Sequence, residues 1–272
     1  MVRSLWSAAT GMNAQQVNVD TIANNLANVN SMGYKAQVAQ FKSLLYQNLR
    51  SVTTTANGDP KPTSSQVGLG VRPSSINSIF TQGSLLDSDS DTAFAIEGHG
   101  FFAVRGEDGT TFYTRNGDFI WALAANGGMT LTNADGLPVL DSAGRAIALN
   151  RSYIASNISI TEDGQICYPD GDNNPQPIGI TIGTYQFSNP GGLKRVGDTL
   201  FAVTDASGRA LNEDTTAGVN KSRIVQGYLE GSNVQVANEM VNLIVAQRAY
   251  EMNSKAITTS DSMLEVANNL KR

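Results

Sequence analysis

Two heptad rows, one at each end of the chain, limit what this sequence can fold into more than any other feature. Near the C-terminus Val236, Leu243, Tyr250, Ile257 and Leu264 recur by seven, and Met240, Gln247 and Ser254 follow four places behind the first three. Neither Pro nor Gly interrupts residues 232–272, so pattern and propensity together predict one long helix. At the other end Leu5, Met12, Val19 and Leu26 recur by seven, with Ala8, Ile22 and Val29 three places on and Gln15 as the polar exception. Burying five large apolar side chains stabilises by on the order of 10 kcal/mol. Ordering a helix of this length costs about 1–2 kcal/mol per residue, only partly offset by its own hydrogen bonds. Each row therefore needs a partner, and pairing the two ends is the simplest solution.

The first helical row is nearly free of charge. Only Arg3 and Asp20 are charged between Met1 and Tyr34, while Asn13, Asn18, Asn24, Asn25, Asn28 and Asn30 crowd it. Asparagine is a poor helix former, because its amide competes for backbone groups. A neutral amide suits a face that meets neighbouring protein, since it donates and accepts without the desolvation cost of an ion. Gly33 fits a left-handed cap after Ser31 and Met32, and Phe41, Leu44, Leu45 and Leu49 predict a second short helical stretch to Arg50.

The remainder reads as segments of different character. Residues 1–50 form an N-terminal helical segment; 51–66, with Pro60 and Pro62, an extended linker; 67–204 a central β domain; 205–231 a glycine-containing return loop; 232–272 the C-terminal helix. In the central part Gly109, Gly117, Gly127, Gly136 and Gly144 separate short apolar runs, the spacing of an antiparallel meander or barrel. The fold class expected is α+β, with the terminal helices paired as a coiled-coil-like stalk.

The net charge of −5 argues against a nucleic-acid partner, which requires a basic face. Charged residues make up only 16 %, an uncharged polar surface that suits dense packing of many copies. His99 is the only histidine, set between Gly98 and Gly100 as a turn, so an imidazole-based metal cluster within one chain is excluded. No Gly-x-Ser-x-Gly elbow, no glycine followed by lysine and no Gly-x-Gly-x-x-Gly occur. Asp87, Asp89 and Asp91 open like a calcium loop but fail at Thr92 and Gly98, and Cys167 reads as a small buried hydrophobe. No catalytic residue, cofactor, metal or small-molecule substrate is expected. The N-terminus lacks the apolar core of a cleavable signal peptide.

Three blocks carry a resemblance. The first runs Ser4-Leu5-Trp6, Thr10-Gly11-Met12, Ile22 to Val29 and Gly33-Tyr34-Lys35; the second runs Gly98-His99-Gly100-Phe101-Phe102 and Tyr113-Thr114-Arg115-Asn116-Gly117-Asp118-Phe119; the third runs Gln226 to Val234 and Gln247 to Lys255. In this order they are similar to the bacterial flagellar rod and hook proteins. The chain departs from that pattern after Phe119, where Ile-Trp-Ala-Leu-Ala-Ala-Asn-Gly-Gly replaces an acidic turn.

The resemblance implies a structural subunit that stacks helically on copies of itself into a hollow shaft, with terminal helices inside and β domains outside. It implies torque transmission, a lining for the export channel, a basal-body rod location spanning the periplasm, and export without a cleaved signal. Partners implied are the neighbouring rod proteins, the hook protein, the surrounding ring proteins and the flagellar export apparatus. In one rod branch the stretch matching residues 46–66 is an addition relative to the hook. The assembly seam expected is Leu5, Met12, Val19, Ile22, Leu26, Val29, Val236, Met240, Leu243, Tyr250, Ile257 and Leu264, buried largely against other subunits. Another flagellar axial subunit, a secreted cell-wall hydrolase with a raised-pKa carboxylate and a monomeric surface adhesin are the competing readings.

Overall fold

The computed structural model describes residues 2–50, 65–123, 127–170, 174–197 and 199–270. The chain divides into two compact units. One comprises residues 1–27, 37–78 and 235–272; the other comprises residues 28–36 and 79–234.

The first unit holds helix α1 (Val2–Ala27) and helix α2 (Val236–Asn269), packed against each other. Ser4 Oγ lies 3.3 Å from Ser260 Oγ, Asn25 Nδ2 lies 3.3 Å from Glu239 Oε2, and Gly11 faces the side chain of Asn253. A forward step along α1 is thus matched by an equal step back along α2, a constant antiparallel register. Gly11 is tolerated in mid-helix because a Cβ there would come within 2.9 Å of the Asn253 amide. The second short helix expected over Phe41–Arg50 is not formed. Gln37–Ser43 is a strand paired antiparallel with Val71–Ser78, and Tyr46–Arg50 pairs with Ser65–Gly68. Alternating exposure along Gln37–Phe41 shows period two, which the helical reading of Phe41, Leu44, Leu45 and Leu49 overlooked. The linker reading of 51–66 falls mainly on 51–64, outside the described residues.

The second unit is built of antiparallel strands around two large buried clusters. In its six-stranded sheet the order is Lys194–Gly197, Leu200–Ala202, Thr111–Thr114, Phe101–Arg105, Thr184–Gln186, Leu211–Asn212. This is not a plain meander, because strands from beyond residue 180 flank the central hairpin. Along that hairpin the pleat sends Phe102 and Val104 into the larger core with Phe94, Phe119, Leu131 and Ile166, and Phe101 and Ala103 into a second core with Tyr113, Phe187 and Phe201. The divergent run after Phe119 forms a strand, Phe119–Leu123, in unbroken register with Met129–Asn133. The stretch read as a return loop contains strands Arg223–Gln226 and Tyr228–Glu230, paired with Phe94–Glu97 and Leu85–Asp87. The fold is α+β, as the sequence predicts: two terminal helices and antiparallel sheets.

Candidate assembly surface

Helix α1 carries the first half of the expected seam. Ile22 is buried and Leu5, Met12, Val19 and Leu26 are half-buried. Val29 is different: α1 stops at Ala27, and Val29 packs in the second unit against the Tyr34, Ala36 and Val234 cluster. Gly33 adopts φ +68°, as expected for a left-handed residue, but it lies beyond the helix and is not its cap. A Cβ there would sit 2.5 Å from the backbone nitrogen of Asn116, so close approach fixes the glycine.

On α2 the inward row differs from the expected one. Val236, Leu243, Ile257 and Leu264 are half-buried, and the buried positions are Ala246 and Ser260, three places after Leu243 and Ile257. Met240, four places after Val236, remains 50 % exposed and Tyr250 42 %. The true companion row is Glu239, Ala246, Asn253 and Ser260; its small and polar side chains let the helices approach closely but give no hydropathy signal. Within one chain the seam rows are therefore only partly covered, and Met240 and Tyr250 stay exposed. A groove of about 390 Å³ between the helices is lined by Gln16, Val19, Gln247, Tyr250 and Glu251.

The asparagine-rich face of α1 has a specific buried member. Asn25 Oδ1 accepts the Gln37 N–H at 2.8 Å, and Asn25 Nδ2 donates to the Gln37 carbonyl at 2.8 Å. One amide thus satisfies both backbone groups of the first strand residue.

A second apolar face of α2 has no counterpart in the expectations. Val241, Val245, Met252, Met263 and Val266 are 55–70 % exposed. At about 100° per residue these five fall within about 60° of one another, turned by roughly 115° from the row of Glu239, Ala246, Asn253 and Ser260. They were legible as apolar residues in a helix, but their face could be assigned only once the inward row was known.

Sequence reasoning also missed a buried ion triad in the second unit. Glu230 Oε1 lies 2.5 Å from Lys35 Nζ, and Glu230 Oε2 lies 3.1 Å from Arg115 Nη1; Lys35 and Glu230 are fully buried. Burial lowers the pKa of both cations, and the Glu230 charge works against that shift. Lys35 donates to the Thr81 carbonyl at 2.8 Å and Arg115 to the Gly98 carbonyl at 2.5 Å. Each of the three residues lies in a different one of the three blocks quoted above, so the blocks meet at this point. The signal available in sequence was slight: Lys35 is the one charge of the first block, whereas Arg115 and Glu230 share theirs with other charged residues.

The Gly98-His99-Gly100 turn is structural. Cβ atoms on Gly98 and Gly100 would meet Ser222 Oγ and Glu213 Oε1 at 2.7 Å, and Ser222 is held by Glu213 through both N–H and hydroxyl. Among the described residues no three His, Cys, Asp or Glu side chains group as metal ligands, and no helix is long and apolar enough to cross a membrane.

Three family profiles match the chain: "Flagella basal body rod protein" over residues 5–35, "Flagellar hook protein FlgE/F/G D1 domain" over 95–168, and "Flagellar basal body rod FlgEFG protein C-terminal" over 225–270. Paired terminal helices around an inserted β unit, matched at both ends and in the middle, define a structural protein of the flagellar rod-and-hook class, not an enzyme. The chain is 44 % identical to the flagellar basal-body rod protein FlgG of Borreliella burgdorferi, all of both chains being covered. It is 41 % identical to that of Agrobacterium fabrum, covering 99 % of this chain and 100 % of the other, and 35 % identical to that of Bacillus subtilis, covering all of both. The chain belongs to the flagellar basal-body rod protein family.

Proposed function

We propose that the chain is a structural subunit of the distal rod, polymerising helically with copies of itself through the outer face of α2. The observation that carries this reading is the apolar stripe Val241, Val245, Met252, Met263 and Val266, which the chain's own helix pair leaves uncovered. Magnitude explains why many neighbours are needed. Covering five half-exposed apolar side chains supplies on the order of 5–10 kcal/mol, comparable with the about 4–15 kcal/mol lost on association. One contact is marginal, whereas a subunit held by several neighbours is secure, which makes assembly cooperative. A contact between unlike faces whose rotation does not close generates an open helical polymer.

In this reading the coiled-coil-like stalk becomes the inner wall of a hollow shaft, the shaft carries torque from motor to hook, and its bore serves export. The subunit resides in the periplasm-spanning rod, having left the cell without a cleaved signal. Its neighbours are the other rod proteins, the hook protein, the surrounding rings and the export apparatus.

The test is Val245→Asp with Met252→Asp in the full chain, followed by sedimentation and electron microscopy. The expected result is a monomer whose melting stays within about 0.5 kcal/mol of the parent, as for other surface changes, and which forms no polymers. Leu243→Asp should instead melt the helix pair in the monomer. Normal polymers from the Val245/Met252 variant would overturn the proposal.

A further inference from the structure

The chain passes between its two compact units at residues 27/28, 36/37, 78/79 and 234/235. Within the second unit, the segments adjoining three of these passages are bonded to one another. In the first, Gly33 N–H donates to the Glu230 carbonyl at 2.7 Å, the Arg195 guanidinium lies 4.7 Å over the Tyr34 ring, Lys35 binds the Glu230 carboxylate, and Ala36 N–H donates to Asn233 Oδ1 at 2.7 Å. In the second, Ile79 N–H donates to the Ala36 carbonyl at 2.8 Å, the Thr81 carbonyl accepts from Lys35 Nζ, and Gly83 N–H donates to Glu230 Oε1 at 3.0 Å. The third supplies Glu230 and Asn233 themselves. The Asn233 Nδ2 donates to the Ile79 carbonyl at 2.8 Å and lies 2.9 Å from the Thr81 hydroxyl.

Every residue from Gly33 to Ala36 is thus held by a side chain or backbone group from elsewhere in the unit. Two cations share one carboxylate at the centre, and the Thr81, Ile96 and Gly98 carbonyls accept further bonds from them, while Arg115 Nε has no partner. A buried arrangement of this kind contributes little net stability compared with apolar side chains of similar size, because desolvation offsets the attraction. Its contribution is geometric, since these bonds between the three segments form together only in one relative placement.

We propose that this network is a staple that makes the three segments one rigid piece of the β unit, with Glu230 and Asn233 as its positioning residues. The staple stands on its own geometry. One consequence rests on the proposed rod function: load reaching the β unit would pass through bonds sharing the strain at one place, and not along independent loops.

Hydrogen exchange of the full chain, read by peptide, tests it, since local opening is reported segment by segment. Asn233→Ala should speed exchange at least tenfold in peptides covering 33–36 and 79–83, and leave those covering 101–105 and 111–114 unchanged. Asn233→Asp keeps the oxygen that Ala36 uses but loses the donors to Ile79 and Thr81, so protection should return at Ala36. The triple change Lys35→Met, Arg115→Met, Glu230→Met should melt no lower than the parent and yet show the same localised fast exchange. Exchange raised by one factor in every peptide, or segments still protected in the triple variant, would overturn the proposal.

Discussion

Replacing Asn25 isolates the polar logic of the helix pair. Its amide satisfies the Gln37 N–H and C=O at 2.8 Å each and reaches Glu239 Oε2 at 3.3 Å, in a site where Asn25 is 1 % exposed. In Asn25→Ala both Gln37 backbone groups lose their partner, and an unsatisfied buried group costs about 1–3 kcal/mol. Because Gln37 itself is only half-buried, the expected loss is about 2–4 kcal/mol for the helical unit. Asn25→Asp keeps the acceptor for Gln37 N–H but cannot donate, and it sets a second carboxylate beside Glu239. It should be worse than alanine at neutral pH and recover as acid protonates one of the pair. Both helices and Trp6 lie in the first unit and Trp121 in the second, so the comparison is made in a Trp6→Phe background, where Trp121 is the remaining indole. Denaturant unfolding followed by the far-ultraviolet helix signal and by indole fluorescence therefore separates the two. An early loss of helix with the fluorescence transition unmoved is expected. An Asn25→Ala helix transition within about 0.5 kcal/mol of the parent would refute the reasoning.

Two further outcomes follow from single positions. Gly33→Ala should lower stability by more than about 1 kcal/mol, because φ +68° is strained for alanine and its Cβ would collide with Asn116 backbone; a thermal melt unchanged from the parent contradicts this. The Tyr113 pKa is raised to about 12, chiefly by burial and then by Tyr185. With the folded value above the unfolded value of about 10, the folded state holds the proton longer. The stability this contributes is intact below pH about 10 and is lost as pH rises towards about 12. Tyr113→Phe should shift alkaline unfolding to higher pH, and phenolate absorbance alongside circular dichroism would reveal an unaltered midpoint if burial is not the cause.

The amino-acid order alone determined that both ends are helical, that the middle is β, and that the ends seek partners. Those properties reside in local periodicity, in propensity and in the positions of Gly and Pro. What it could not reveal depends on which faces meet. The α2 companion row of Glu239, Ala246, Asn253 and Ser260 is invisible to hydropathy, because close approach selects for small size and polar fit. The strand at Gln37–Ser43 forms because it pairs with Val71–Ser78 and is held by Asn25, contacts that no window of sequence contains. Likewise Lys35, Arg115 and Glu230 are three unremarkable charges until the fold brings together positions as much as 195 residues apart. Charge pairing and face assignment act through space, so only the tertiary structure decided them.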